Sequence, residues 1–204
     1  MPSLLVCITG ASGAIYGQRF VLAALDHFAP ANLLISARGA EVIAHELGLH
    51  VDLERLDMGG MLGAEDSRVR LWHPDDMNAP FASGSGVCDA TVIVPCSMGT
   101  AGRIASGTSD NLIVRAADVA LKEGKTLILV PRETPLNLIH LRNLTALAEA
   151  GAVVMPACPG FYERPVAVLE LVDFMVARIL LRIGVRQENL RRWGDLARGW
   201  AESE

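Results

Sequence analysis

At 204 residues, 51% of them hydrophobic, the chain is long enough for one α/β domain with a substantial core, and no linker divides it. A net charge of −5 argues against a nucleic-acid partner, and no apolar run reaches the ~18–20 residues that cross a bilayer; a cytoplasmic protein off the membrane is expected. A mean hydropathy of +0.33 leaves apolar surface to bury between subunits, which favours a homo-oligomer.

Ser3 to Ile8 predicts a strand, and Thr9-Gly10-Ala11-Ser12-Gly13-Ala14 turns it into a helix running to about Phe28. Such a turn leaves backbone N–H groups free at the positive end of a helix dipole, which suits a phosphate or cofactor; tight packing alone would also use it. The spacing Gly10, Gly13, Gly17 is not the dinucleotide fingerprint, and neither Tyr16 nor Tyr162 has a lysine four residues on, as a short-chain dehydrogenase requires. The next strand, Asn32 to Ile35, ends in Ser36 where a nicotinamide site places an acid, so that cofactor is disfavoured.

In the helix predicted over Gly39 to Gly48, Glu46 shares a stripe with Ile43 and Leu47. Its carboxylate either finds partners in the fold or curls to solvent at the helix end. Residues 49–78 support no functional reading, only a short strand at Val69 to Trp72. Ala79 to Gly86 reads as an irregular loop rich in hydroxyls, either a plain connection or an anion-facing segment.

Thr91 to Pro95 is a β-branched apolar run followed by the small-residue turn Cys96 to Thr100; Asn111 to Glu123 has helical spacing; Thr126 to Val130 repeats the apolar run and breaks into Pro131 to Pro135. Apolar runs separated by a helix predict parallel strands buried on both faces, with their following loops on one ligand-binding edge. The fold class expected is α/β: a Rossmann-like, doubly wound, mostly parallel sheet with helices on both faces, in a single domain over 1–204 ending in an arm from about 184. Arg115 and Lys122 lie two turns apart on one helix face; read alone, Asp118 pairs with Lys122 at i,i+4 and the face is solvated.

Leu136 to Ala150 predicts another helix, and Ala152 to Met155 the last strand, followed by the loop Pro156 to Pro165. In the final helix, Val166 to Ile183, Arg178 has apolar neighbours, a like charge and no local acid, so it either snorkels to water or serves an anion elsewhere, and the second is favoured. Cys7, Cys88, Cys96 and Cys158 are unpaired in spacing and read as reduced core thiols. Strand ends thus deliver Ser12, Ser36, Ser97 to Thr100, Arg132, Glu133 and Tyr162 to one edge, with the five histidines elsewhere. Metal coordination and Ser-His or Cys-His catalysis are unsupported; binding of phosphorylated ligands, with positioning and charge stabilisation, remains.

Thr9-Gly10-Ala11-Ser12-Gly13, Ala82-Ser83-Gly84-Ser85, Val94-Pro95-Cys96-Ser97-Met98-Gly99-Thr100, Asp110-Asn111-Leu112, the run Arg115 to Glu123, Val130-Pro131-Arg132-Glu133-Thr134-Pro135 and Pro159-Gly160-Phe161-Tyr162 together resemble the flavin prenyltransferases, in order and from Leu5 to about Trp193. The resemblance implies FMN as cofactor and transfer of a dimethylallyl group from its phosphate or diphosphate to flavin N5 and C6. The prenylated FMN would pass to a partner decarboxylase, and the assembly would be a dodecamer. It further implies flavin contacts from Gly10, Ala11, Ser12, Ser36, Ser97, Met98, Gly99, Thr100 and Arg132. Lys122, Tyr162 and Arg178 would grip the prenyl phosphate, with Arg132 near both ligands. Ser12 and Glu46 would move the N5 proton, and Arg115 and Glu133 match other active-site positions; under this reading Lys122 and Glu46 are functional. Aromatic shielding of the allylic cation falls to the flavin ring and Trp193, each cation–π contact contributing about 0.5–2 kcal/mol, and fixed cations replace a metal.

Two rivals share parts of this pattern. A cysteine-type flavin decarboxylase needs a histidine shortly before the strand at Thr91, and Ala79 to Gly86 has none. A non-catalytic flavin carrier has no use for Lys122, Tyr162 and Arg178.

Overall fold

A computed structural model of the chain describes residues 3–28, 30–62 and 67–186. Six strands form one sheet: β1 (Leu4–Ile8), β2 (Ala31–Ile35), β3 (Val69–Trp72), β4 (Ala90–Cys96), β5 (Thr126–Pro131) and β6 (Val153–Val154). Their order is β3-β2-β1-β4-β5-β6, and every pairing is parallel. Order reverses between β1 and β4, the kind of switch point where open α/β sheets bind ligands.

The helices are α1 (Ala14–Ala24), α2 (Ala37–Leu47), α3 (Met98–Ala105), α4 (Leu112–Lys122), α5 (Leu138–Glu149) and α6 (Val168–Arg182). Alternate residues of β1 divide between two cores. Leu4, Val6 and Ile8 face the side holding Phe20 of α1 and Val176 of α6, whereas Leu5 and Cys7 face the side holding Ile113 and Ala117 of α4. All five are fully buried, each large aliphatic side chain contributing about 1.5–3 kcal/mol, which explains why the strand reads as one unbroken apolar run. Arg19 of α1 grips Asp173 of α6 through two bonds of 2.9 and 2.7 Å, fixing α6 along α1.

The expected strands all form. Four expectations change. Helix α3, not foreseen, follows β4 directly because Ser97 caps it, its Oγ accepting from Thr100 N at 3.2 Å. Ala79 to Gly86 is not irregular: it makes two 3₁₀ turns, Pro80–Ala82 and Gly84–Gly86, and buries Phe81 edge-on against Trp72 at 5.5 Å. The first helix also stops at Ala24, short of Phe28. Cys7, Cys88 and Cys96 are buried free thiols, but Cys158 is exposed, correcting its assignment to the core. Burial pushes Cys88 up to about 11 and Cys96 up to about 12, so both remain protonated. Among the described residues, no helix is long and apolar enough to cross a membrane.

Asp89 ties the strand starts together. Its carboxylate accepts from Ser3 N (2.9 Å), Ser3 Oγ (3.1 Å) and Lys125 Nζ (2.9 Å), which holds its pKa down to about 2. A carboxyl depressed on folding stabilises above its ordinary value of 3.8 and loses that contribution as pH falls toward 2. Since the group is exposed, Asp89→Asn is expected to cost a few tenths to about 1 kcal/mol at pH 7, with the difference vanishing near pH 2. Denaturant titrations at matched protomer concentration check this.

Candidate functional site

The ends of β1, β2, β3 and β4 open on a crevice of about 330 Å³, to which they bring Gly10, Ser36 with Arg38, Pro74 with Asp75, and Ser97 with Thr100. Three helices begin there. Ser36 Oγ caps α2 by accepting from Gly39 N (3.0 Å), Ser97 Oγ caps α3, and Asn111 Oδ1 caps α4 by accepting from Val114 N (3.1 Å). First-turn N–H groups beyond those caps lack intrahelical acceptors, and three positive dipole ends converge on one place. Such an arrangement receives a phosphate.

Backbone packing sets these positions. The Thr9 hydroxyl donates to Pro95 O (2.8 Å) and accepts from Ser97 N (2.8 Å), joining the ends of β1 and β4 at the switch point. Gly39 lets α2 approach β1, since a Cβ there would lie 2.6 Å from Ile8 O, the same oxygen that accepts from Ser36 N.

The turn after β1 differs from expectation. Gly13, at φ 105°, opens α1, but its N–H and that of Ala14 already donate to the Glu46 carboxylate, at 2.9 and 2.8 Å. An internal anion occupies the start of α1, so the phosphate-receiving ends are those of α2, α3 and α4. Glu46 is exposed by area, yet it does not simply curl to solvent. Burial alone would raise its pKa; the Ser12 hydroxyl, the two N–H groups and the Arg132 guanidinium outweigh that and hold it below the ordinary carboxylate range. Arg132 completes the cluster by donating from Nε to Ser12 O at 3.0 Å.

The other expected residues do not all meet at this edge. Ala11 and Met98 are buried beside the crevice turns, and Gly99 is exposed in the first turn of α3. Glu133 folds onto its own loop, Oε1 accepting from Thr134 N at 3.0 Å. Tyr162 packs edge-on against Phe174 (5.6 Å), one turn before Arg178 on α6. Lys122 pairs with Glu123 beside Gly84, and Asp118 pairs with Arg115 (2.9 Å), not with Lys122. Arg115 also donates from Nε to Ala82 O (3.0 Å), so it clamps the Ala82–Gly86 turn. Lys122, Tyr162 and Arg178 are not among the residues lining the crevice. Trp193 lies outside the described residues. Sequence reasoning missed Arg38, Asp75, Arg103 and Asn111; the end of the strand at Val69 to Trp72 was the available signal for Asp75.

A parallel sheet with three helix starts converging on a crevice at its switch point defines an α/β fold built to bind a phosphorylated ligand. A family model described as Flavoprotein matches residues 1–180. The chain is 45% identical over 194 residues to flavin prenyltransferase UbiX of Pseudomonas aeruginosa, covering 93% of each. Among solved structures it resembles AnUbiX (PadA1) in complex with FMN and dimethylallyl pyrophosphate, at TM-score 0.84 and 36% identity over 94% of this chain and 97% of that one. It also resembles a dodecameric FMN-dependent UbiX-like decarboxylase from Escherichia coli O157:H7, at TM-score 0.82 and 36% identity over 94% and 98%. The chain belongs to the UbiX family of flavin prenyltransferases.

Proposed function

We infer that the crevice, with the Ser12–Glu46–Arg132 cluster at its edge, is where this protein performs its family's reaction. The protein is a flavin prenyltransferase that uses FMN and a dimethylallyl phosphate ester. The observation that carries the placement is the convergence of the α2, α3 and α4 starts, each capped by a polar side chain, on one crevice. These residues fit a phosphomonoester: amide donors and the Ser36 and Ser97 hydroxyls. Gly10, Ala11, Met98, Gly99 and Thr100 supply the backbone and side chains around the rest of the ligand.

Bound and reduced, FMN supplies the nucleophilic N5 and C6 atoms. The chain's residues then divide the remaining tasks. Glu46 is held ionised, so the Ser12 hydroxyl donates to it and leaves its own oxygen free to accept a proton from the ligand side. Arg132 fixes the Ser12 carbonyl and brings positive charge to the edge shared by both ligands. Lys122, Tyr162 and Arg178 hold the phosphate that departs when the allylic C–O bond breaks with its electron pair on oxygen. Arg115 contributes by holding the Ala82–Gly86 turn in place, and Glu133 by shaping the loop that presents Arg132. Trp193 is kept as an aromatic wall for the allylic carbon.

The protein works as a homo-oligomer, and we propose a dodecamer. Apolar side chains at Leu138, Ile139, Phe161, Val166 and Val168 are exposed in one protomer and supply surface for contact. With Lys122 and Arg178 outside the crevice, assembly brings the prenyl-phosphate groups to the flavin of a neighbour. The product would pass to a prenylated-FMN-dependent decarboxylase, in the cytoplasm, a setting consistent with four free cysteines. One domain would span the whole chain. Anaerobic incubation with reduced FMN and dimethylallyl phosphate, then mass measurement of the extracted cofactor, is expected to show gain of one five-carbon unit; an unchanged mass contradicts the reading.

A further inference from the structure

The crevice holds two guanidiniums that the reaction above does not use. Arg38 stands in the first turn of α2, its Cβ 2.5 Å from where a Cβ on Gly10 would lie, so its stem passes directly under the turn after β1. Arg103 stands in the last turn of α3 and reaches Asp110 Oδ2 at only 3.4 Å, longer than the 2.7–2.9 Å of a good charge-assisted bond. Both are tied only to exposed acids, Glu41 and Asp110, in pairs of the kind that stabilise little. Each can therefore change partner at small cost.

We propose that Arg38 and Arg103 close on the terminal phosphate of the flavin mononucleotide, Arg103 doing so by exchanging Asp110 for the phosphate. This rests on the flavin reading above and deepens it by naming what selects a phosphorylated flavin over an unphosphorylated one. The phosphate carries about two negative charges at neutral pH and offers three acceptor oxygens, as against one charge on either carboxylate. Guanidinium forks match that geometry, and the helix starts of α2, α3 and α4 already aim donors at the same space. Asp75 is the one carboxylate among the residues lining the crevice, so the guanidiniums outnumber the acids there.

The test compares two ligands that differ only in the phosphate. Apo protein is titrated with FMN and with riboflavin, following quenching of flavin fluorescence, for the wild type, Arg38→Gln, Arg103→Gln and Asp110→Asn. Each arginine variant is expected to weaken FMN about tenfold and leave riboflavin unchanged, whereas Asp110→Asn, by removing the competitor, tightens FMN alone. Unchanged FMN affinity in both arginine variants, or a parallel loss for riboflavin, overturns the proposal while the flavin reading stands. A wild type that binds neither flavin overturns both.

Discussion

Arg178→Ala is expected to slow prenyl transfer roughly 10²–10³-fold while the purified protein still carries FMN. The separation follows from where the residue stands. Arg178 lies on α6, one turn beyond the Phe174 that packs on Tyr162, and it does not line the crevice formed by the ends of β1 to β4. Its side chain is exposed, so truncation leaves no cavity, and α6 stays anchored through Arg19 and Asp173. On the proposed role, what is lost is a cation facing charge that develops as the allylic C–O bond opens, an interaction made mainly in the transition state. Flavin content by absorbance and product by cofactor mass, measured on one preparation, check both halves. A variant purified without FMN would falsify the assignment of Arg178 to the prenyl phosphate.

The second large effect concerns Glu46→Gln, for which a 10²–10⁴-fold fall in the single-turnover rate is expected. The amide keeps one acceptor oxygen for Gly13 N or Ala14 N, but its NH₂ then faces the other donor, and the charge opposite Arg132 is gone. Fold stability changes little, a few tenths to about 1 kcal/mol for a charge at a helix start. The sign with pH is set by the depressed pKa. A carboxylate held below 4.5 in the folded protein contributes above that value and loses its contribution as pH falls through the lower one, so Glu46 stays ionised throughout the neutral range. A Gln variant with wild-type rates at pH 7 removes Glu46 from proton transfer and leaves it a helix cap.

Much of this was legible in the residues because strands buried on both faces announce themselves. Leu4 to Ile8 and Leu127 to Val130 are apolar and fully buried, and that forces a layered sheet whose following loops share an edge. Side-chain partners were harder. Asp118 sits at i,i+4 from Lys122 and i,i+3 from Arg115, and only the carbonyl of Ala82, brought in by the tertiary fold, decides for Arg115. Helix α3 escaped notice because Gly99 and Gly102 lower its propensity, and packing against α5 and the capping hydroxyl of Ser97 override that. The glycine turn after β1 pointed to a phosphate for a sound reason, free N–H groups at a helix start. The competing acid comes from 33 residues further on, beyond the reach of local pattern.

That competing acid has a consequence for the history of the fold. Dinucleotide enzymes keep the slot after their first strand vacant for a pyrophosphate; here the slot comes prefilled by the chain itself. Conversion to a nicotinamide or adenylate binder could not proceed through the glycines alone, since Glu46 would first have to be evicted, and with it the ionised neighbour of Ser12. On the role proposed for Glu46, ligand choice and chemistry would both rest on one side chain.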